Sequence, residues 1–358
     1  MSDTTIDPSD WVCPLPLRET QRVVLGHGGG GVLSEELIEN LFLPAFGSAG
    51  GPSRDSALLS AAGATIAVTT DSYVVQPLFF PGGNIGHLAV NGTINDLACS
   101  GAQPLGLTAG FILEEGLELE ILGAIAQTMG AAAADAGVGI VTGDTKVVGK
   151  GSADQLFINT AGVGLVPAGV SIGPERARPG DVIIVSGALG EHGVAIMSVR
   201  EGVDFGTVVT TDSAPLHRLV AAMLTAAGES GDTGAVHALR DPTRGGLVAS
   251  VVEIARAASV GIELDDAAIP VPETVASACS FLGLDPLQVA NEGKLVAFVD
   301  PGHAEAVLAA MRTRPEGSAA AVIGRVVAEH PGMAVVRTAF GTTRVVEREL
   351  GEQLPRIC

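Results

Sequence analysis

Positive charge is scarce in this chain: 20 Lys and Arg stand against 40 Asp and Glu in 358 residues, a formal net charge of −20. With no basic cluster, that balance excludes a surface that grips nucleic acid or anionic lipid. It leaves room for a small anion that arrives with a metal. Long apolar runs are missing too. Mean hydropathy is +0.41, yet the longest candidate, 182–199, is broken by Glu191 and His192, and a membrane span needs roughly 18–20 uninterrupted residues. The first ten residues are acidic rather than basic and then apolar, so no signal peptide is expected. Cysteine is sparse, and Cys13, Cys99, Cys279 and Cys358 lie far apart without a C-x-x-C pair. Neither a zinc ribbon nor a disulfide framework fits that spacing. The absence of a short repeat and of a G-X-Y period excludes solenoids and collagen.

Glycine, by contrast, is abundant: 48 residues, against a usual share of about 7%. Hydrophobic residues make up 47%, which argues for packed cores rather than disorder. At about 150 residues per domain the length suggests roughly two domains. The expectation is a soluble, reduced, cytoplasmic protein.

Residues 22–25 predict a short strand that runs into His27, Gly28, Gly29, Gly30 and Gly31. Ser34 offers an N-cap, Glu35 and Glu36 suit a first helical turn, and apolar residues at helical spacing predict a helix over 35–46. A strand over 65–70 ends at Asp71. The helix expected over about 85–100 is unusual, because His87, Asn91 and Asn95 follow at four-residue steps with Asp96 beside them. Such a stripe of poor helix formers costs stability and wants a reason. A helix over 117–136 closes at Gly137, and strands at 138–141 and 156–166 flank Gly143-Asp144-Thr145-Lys146. Pro167, Pro174 and Pro179 punctuate a connector, and the domain boundary is placed near 170. This divides the chain into an extension (1–21), two domains (22–169 and 170–346) and an extended tail (347–358) with little core signal. The second half reads as strands at 181–186, 261–265, 294–300, 320–328 and 333–338, with helices at 191–201, 214–227, 245–258, 272–282 and 303–313. Because 320–346 looks like successive strands, two α+β domains with mixed or antiparallel sheets and flanking helices are expected, not a doubly wound sheet.

Consecutive N–H groups in the glycine run can cradle phosphate oxygens. The run matches neither standard nucleotide fingerprint, and four glycines also make a plain flexible loop. Asp55, Asp71, Asp96 and Asp241 sit at element ends or on the polar stripe. Magnesium takes one or two carboxylates together with phosphate oxygens and water. Any single acid can equally be a cap or a solvated turn, a role that Asp96, in mid-helix among apolar neighbours, fits least. Lys146 follows a Gly-Asp-Thr turn and Glu292 lies in Asn291-Glu292-Gly293 before a strand; both are ordinary surface types, and spacing alone does not bring them together. In Asp241-Pro242-Thr243-Arg244-Gly245-Gly246, the proline holds Asp241 extended and the glycine pair permits close backbone approach before a helix. Cys13, Cys99 and Cys279 read as small buried hydrophobes or incidental thiols. Cys358 ends the chain, where ten extended residues reach roughly 35 Å. That would carry a thiol-bound group into a pocket and out, although a terminal cysteine can also be accidental.

Taken in order, these motifs, with the 77–84 segment after Asp71 and Asn95-Asp96-Leu97-Ala98, resemble the AIR-synthase-like (PurM-like) ATP-binding superfamily from about residue 22 onward. The ending Pro355-Arg356-Ile357-Cys358 is similar to that of its hydrogenase-maturation carbamoyl dehydratase branch. The resemblance implies a homodimeric enzyme that uses ATP to dehydrate an S-carbamoyl group on Cys358 to a thiocyanate. The implied partners are a carbamoyltransferase that loads Cys358 and an iron-scaffold complex that takes the cyano group for the [NiFe]-hydrogenase centre. It implies Cys358, Lys146 and Glu292 for the chemistry, and Asp55, Asp96 and Asp241 for Mg²⁺. For ATP it implies Gly28, Gly29, Gly30, Gly31, Asp71, Asn95, Gly143, Asp144, Thr145 and Thr243. One departure stands out: Arg54-Asp55-Ser56-Ala57-Leu58 replaces the family's usual Gly-Asp-Asp-Ala-Ala, so one acid is missing. The alternatives are a superfamily kinase or synthase acting on a free metabolite, and a nucleotide-binding scaffold for maturation partners.

Overall fold

The computed structural model describes residues 22–46, 54–203, 206–229, 231–338, 340–348 and 354–358. Cys13 and the extension lie outside these residues. Strands β1 (Ala57–Ala61), β2 (Ala64–Tyr73), β5 (Gln103–Glu114), β6 (Ile140–Val148) and β7 (Leu156–Val166) form one sheet in the order β1-β2-β7-β5-β6. A short hairpin, β3 (Phe79–Phe80) and β4 (Gly83–Asn84), stands apart from it. Every pairing in the larger sheet is antiparallel except β5 with β6. That parallel pair needs a crossover, which α4 (Leu119–Ala136) supplies, and Gly137 ends α4 in the left-handed conformation. Along β7 burial alternates, as a sheet with one covered face requires. Helices α3 (Ile85–Cys99) and α4 pack on that covered face, where Leu88, Ile94, Ile125 and Met129 join Leu107 and Ile158 in a core.

The second half is built on seven strands in the order β14-β13-β10-β12-β8-β11-β9. These are β8 (Val182–Val185), β9 (Val236–Arg240), β10 (Gly261–Asp265), β11 (Val296–Val299), β12 (Ala321–Val327), β13 (Ala334–Arg337) and β14 (Thr343–Val346). Strands β8 and β11 are apolar throughout because helices cover both of their faces. Helix α7 (Gly246–Ala258) packs on one face with Phe298 and Ile183, while α6 (His217–Glu229) and α9 (Ala304–Arg312) pack on the other with Ile184 and Ala297. Helices α5 (Glu191–Arg200) and α8 (Glu273–Leu282) instead pack toward the core of the first half. Two α+β units with mixed sheets are what the strand pattern predicts.

Several local expectations are corrected. Residues 25–28 form a 3₁₀ turn rather than the end of a strand. Helix α1 (Val32–Leu37) begins at Gly31, not at Ser34, and continues through a π-helical turn (Ile38–Phe42) into α2 (Leu43–Ala45). The Ser34 hydroxyl folds back instead, accepting from the Gly30 N–H and donating to the His27 carbonyl, both at 2.9 Å. The Gly143-Asp144-Thr145-Lys146 motif is no turn; it lies inside β6, where Gly143 pairs with Ala109 and Lys146 with Ile112. A Cβ on Gly143 would meet the Ala109 carbonyl at 2.3 Å, so the close pairing requires glycine there. Strands β1, β5 and β9 are not anticipated by the pattern; β5 hides behind Pro104, Gly106 and Gly110. The end of the chain, expected to carry little core signal, buries Leu354 and Ile357 in the first core.

Candidate active site

Helix α3 carries the first half of the site. Asn84 caps it by accepting from the Gly86 N–H at 2.8 Å, and the polar stripe then finds its reason. Asn91 donates to the Ser213 hydroxyl, while Asn95 donates to the carbonyls of Ala214 (3.0 Å) and Glu292 (3.1 Å) and accepts from the Leu216 N–H (2.8 Å). The stripe therefore sews the first half to the second, and Asn95 commits its amide to that seam.

The next residue, Asp96, faces the other way. The Thr69 hydroxyl lies 2.6 Å from its carboxylate and 2.8 Å from the Asp55 carbonyl. Asp55 pairs with Arg240 at 2.7 Å, and Arg240 also holds Glu253 at 2.8 Å. Ligand atoms of Asp55, Cys99 and Asp241 lie within 4.8 Å of one another. Tyr73, the single tyrosine, donates to Asp71 at 3.0 Å. Burial is the main cause that pushes the Asp55, Asp96 and Glu292 carboxyls well above the usual range and Asp241 up to about 6; Asp71 adds repulsion to all four. Arg240 pulls Asp55 and Asp241 back down. Glu292 Oε1 is buried without a hydrogen-bond partner among the described residues. Such clustered, underbalanced oxygens are a donor set for a hard divalent cation. The nearby Cys99 sulfur is too soft to share that role with magnesium.

Two loops close the site. Asn291 donates its side-chain N–H to the Pro242 carbonyl at 2.9 Å and accepts from the Gly190 N–H at 2.7 Å, tying the 241–246 loop to the start of α5. Gly246 adopts φ +60°, and a Cβ there would meet the Leu287 carbonyl at 2.6 Å. Arg244 donates to the Gly28 carbonyl at 2.7 Å, and Arg348 donates to those of Gly30 and Gly31 at 2.7 and 3.2 Å. The glycine run is thereby pinned beside Thr243 and Asp241.

Gly143, Asp144, Thr145 and Lys146 lie elsewhere, on the exposed strand β6. Lys146 pairs with Asp144 at 2.8 Å, each about 70% exposed, and the pairing holds the Asp144 carboxyl below its usual range. Among the described residues, no hydrogen bond or ion pair joins this segment to Glu292 or to the buried acids within one chain.

The terminal residues dock against the segment after β2 and against helix α5. Arg200 donates to the carbonyls of Pro355 (2.6 Å) and Arg356 (2.8 Å), and Gln76 N–H also donates to Arg356. His192 holds the Ile357 carbonyl at 2.9 Å, and Val74 N–H holds that of Cys358 at 3.0 Å. The Arg356 side chain donates to the Val74 carbonyl and pairs with Asp154. Val74 directly follows Tyr73, so the cysteine is anchored one residue from the Tyr73–Asp71 contact. Sequence reasoning missed Tyr73, His192, Arg200 and Arg240. The available signals were the polar break that His192 makes in the 182–199 run and the arginine immediately before Asp241.

Family models for the AIR synthase related protein match at residues 53–166 (N-terminal domain) and 178–336 (C-terminal domain). The chain is 53% identical over 341 residues to the carbamoyl dehydratase HypE of Rhizobium leguminosarum bv. viciae, covering 94% of this chain and 95% of that protein. It is 47% identical over 342 residues to the HypE of Escherichia coli K12, covering 94% and 99%. Among solved structures, a HypE–HypF complex matches with TM-score 0.82 and 45% identity, covering 87% of this chain and 99% of that one. A HypE structure in complex with ATP matches with TM-score 0.78 and 46% identity, covering 94% and 100%. A thiamine monophosphate kinase from Aquifex aeolicus, 18% identical with TM-score 0.62, shares the fold. In sequence, domain content and architecture alike, the chain belongs to the HypE family of carbamoyl dehydratases.

Proposed function

We propose that this protein uses ATP to dehydrate an S-carbamoyl group on its own Cys358, leaving a thiocyanate that supplies the cyanide ligand for the iron of [NiFe]-hydrogenase. The observation that carries the reading is the anchoring of the Cys358 carbonyl on Val74 N–H, one residue from the Tyr73–Asp71 contact. The γ-phosphoryl group of ATP passes to the carboxamide oxygen, which turns a poor leaving group into phosphate. Loss of the nitrogen-bound protons then breaks the C–O bond, and the C≡N bond forms as phosphate departs. Glu292, buried and with one oxygen unpartnered among the described residues, is the proposed proton-handling group, and Lys146 is its proposed partner. Asp55, Asp96 and Asp241 would hold Mg²⁺, which when bound supplies charge neutralisation for the phosphates. The glycines at 28–31, with Asp71, Thr243, Gly143, Asp144 and Thr145, would bind the nucleotide, and Asn95 would serve by holding the Glu292 loop.

The working unit is a homodimer. The uncovered face of the first sheet exposes Leu105, Ile112, Val141, Val163 and Leu165, an apolar surface that suits a second copy, and Lys146 stands on the same sheet. A relative solved with HypF supports a carbamoyltransferase of that kind as the loading partner; an iron-scaffold complex would accept the cyano group. No helix among the described residues is long and apolar enough to cross a membrane, and a cytoplasmic site of action fits that reading.

Intact mass spectrometry of the carbamoylated protein before and after addition of ATP and Mg²⁺ tests the proposal. Loss of one water from the C-terminal peptide is expected. An unchanged tail accompanied by ATP consumption on a free metabolite would overturn it in favour of a kinase. Tail-dependent partner binding without ATP consumption would leave only a scaffold. Lys146→Ala is expected to bind ATP yet leave the carbamoyl group unconverted.

A further inference from the structure

His192 interrupts the longest apolar run of the chain and is completely buried. Its surroundings determine its tautomer. The Ile357 carbonyl, 2.9 Å from Nε2, can only accept, so Nε2 carries the proton. Burial, the largest influence on the ring, lowers its pKa and keeps it neutral, and the facing charge of Asp212 pulls weakly the other way. Nδ1 is then an acceptor and receives the Thr211 hydroxyl proton at 2.8 Å. Thr211 is itself held, accepting from Ser213 N–H through its hydroxyl and donating its own N–H to the Pro81 carbonyl. The edge of Phe80 meets the ring at 87° with centroids 5.7 Å apart. Orientation, protonation and position of this imidazole are all specified, and its one outward-directed hydrogen bond goes to the tail.

That bond falls at an informative place. The Ile357 carbonyl belongs to the last peptide plane of the chain, the one that ends at the Cys358 nitrogen. The Cys358 carbonyl, on the other side of the same Cα, is held by Val74 N–H at 3.0 Å. With both flanks anchored, the sulfur keeps essentially one free rotation, that about Cα–Cβ. Helix α5, which presents His192, is in turn fixed to the glutamate loop, since Gly190 N–H donates to Asn291 and Gly193 N–H to the Ala290 carbonyl. One short element thus ties the last peptide plane to the segment carrying Glu292.

We infer that His192 is a positioning residue of the dehydration: as a neutral, pre-oriented donor it fixes the Ile357–Cys358 peptide plane and so sets where the thiol-bound group sits relative to Glu292. This inference rests on the reaction proposed above. Its test uses the full-length protein, loaded by its carbamoyltransferase and followed in a single turnover at saturating ATP and Mg²⁺. His192→Leu is expected to slow conversion on the order of ten- to hundredfold, since a displacement of about 1 Å can cost that much, while ATP affinity stays within about twofold. His192→Gln, which restores a neutral N–H donor, is expected to recover most of the rate. Thr211→Val, which frees the ring without removing it, should slow conversion by about threefold, a loss typical of one neutral hydrogen bond, and serves if the leucine variant does not fold. A second readout is alkylation of the unloaded Cys358 thiol, expected to accelerate about tenfold in His192→Leu and to return toward the parental rate in His192→Gln. Parental rates in both readouts for His192→Leu would overturn the inference. So would equal loss in the leucine and glutamine variants, which marks a merely structural role. Should the parent itself lose no water, the reaction assignment fails, and the alkylation readout still decides whether His192 holds the tail.

Discussion

Arg240 stands between two partly buried acids, 2.7 Å from Asp55 and 2.8 Å from Glu253. Replacing it leaves Asp55 facing Asp241 and Asp96 without a counter-charge, while Glu253 keeps Arg348 at 3.4 Å, and breaking a buried pair costs about 3–5 kcal/mol. Arg240→Met should therefore show a lower urea midpoint in metal-free buffer. Added Mg²⁺ should recover part of the loss, since a ligand of the folded state stabilises it; no response to Mg²⁺ would contradict the assignment of the acids. His192 makes a prediction of opposite electrostatic origin. Burial depresses its pKa below the ordinary histidine value of about 6.5, so below that pH the unfolded ring takes up a proton that the folded ring refuses. Its contribution to stability is present above about pH 6.5 and is lost as the pH falls toward the folded pKa. The loss of stability between about pH 7.5 and about pH 5.5, read from denaturation midpoints, should be smaller in His192→Gln than in the parent. The raised carboxyls act in the reverse sense, losing stability as the pH rises, and they cancel in that difference.

At the level of elements, α3 shows how a locally unfavourable sequence can be globally required. Asn91 and Asn95 lower helix propensity, and that anomaly was legible in the sequence as a four-residue stripe. The partners were not legible, because Ser213, Ala214, Leu216 and Glu292 lie more than a hundred positions along the chain. Asn95→Ala strands two carbonyls and one N–H in the seam, a loss of about 2–3 kcal/mol, measurable by denaturation and accompanied by weaker conversion at Cys358. A neutral outcome would mean that water replaces the amide. The 241–246 loop was read from its proline and glycine pair, and Gly246 indeed meets backbone at 2.6 Å. The Gly143-Asp144-Thr145-Lys146 segment misled for a physical reason. Gly-Asp-Thr has turn chemistry, and only the partner strand β5 shows that glycine serves close strand pairing instead. The start of α1 misled similarly, since Ser34 satisfies the Gly30 N–H from inside the first turn rather than from the cap.

On the scale of the whole molecule, the scarcity of positive charge acquires a pattern. Arg54, Arg200, Arg240, Arg244, Arg348 and Arg356 are engaged in pinning loops, acids and the chain end to one another. The fold class was readable from mixed strands and helices that end in successive strands, whereas the spatial meeting of the two halves was not, because the α3 side chains meet partners far along the chain. The uncovered face of the first sheet carries the clearest molecular-scale prediction. Val141→Glu combined with Val163→Glu places charge on that face and should convert a dimer to a monomer by light scattering, with loss of turnover at Cys358. A parent that is monomeric at micromolar concentration would remove the homodimer from the scheme.

The manner in which the last residue is held has a practical corollary. Its carbonyl is already bonded to Val74, and Leu354 and Ile357 are packed in the interior, where each contributes about 1.5–3 kcal/mol. Residues appended after Cys358 would therefore pull on a carbonyl and on side chains that are already committed. A purification tag fused at this end would hold the chain out of its own cleft, while the same tag placed at the other end would leave the seating intact.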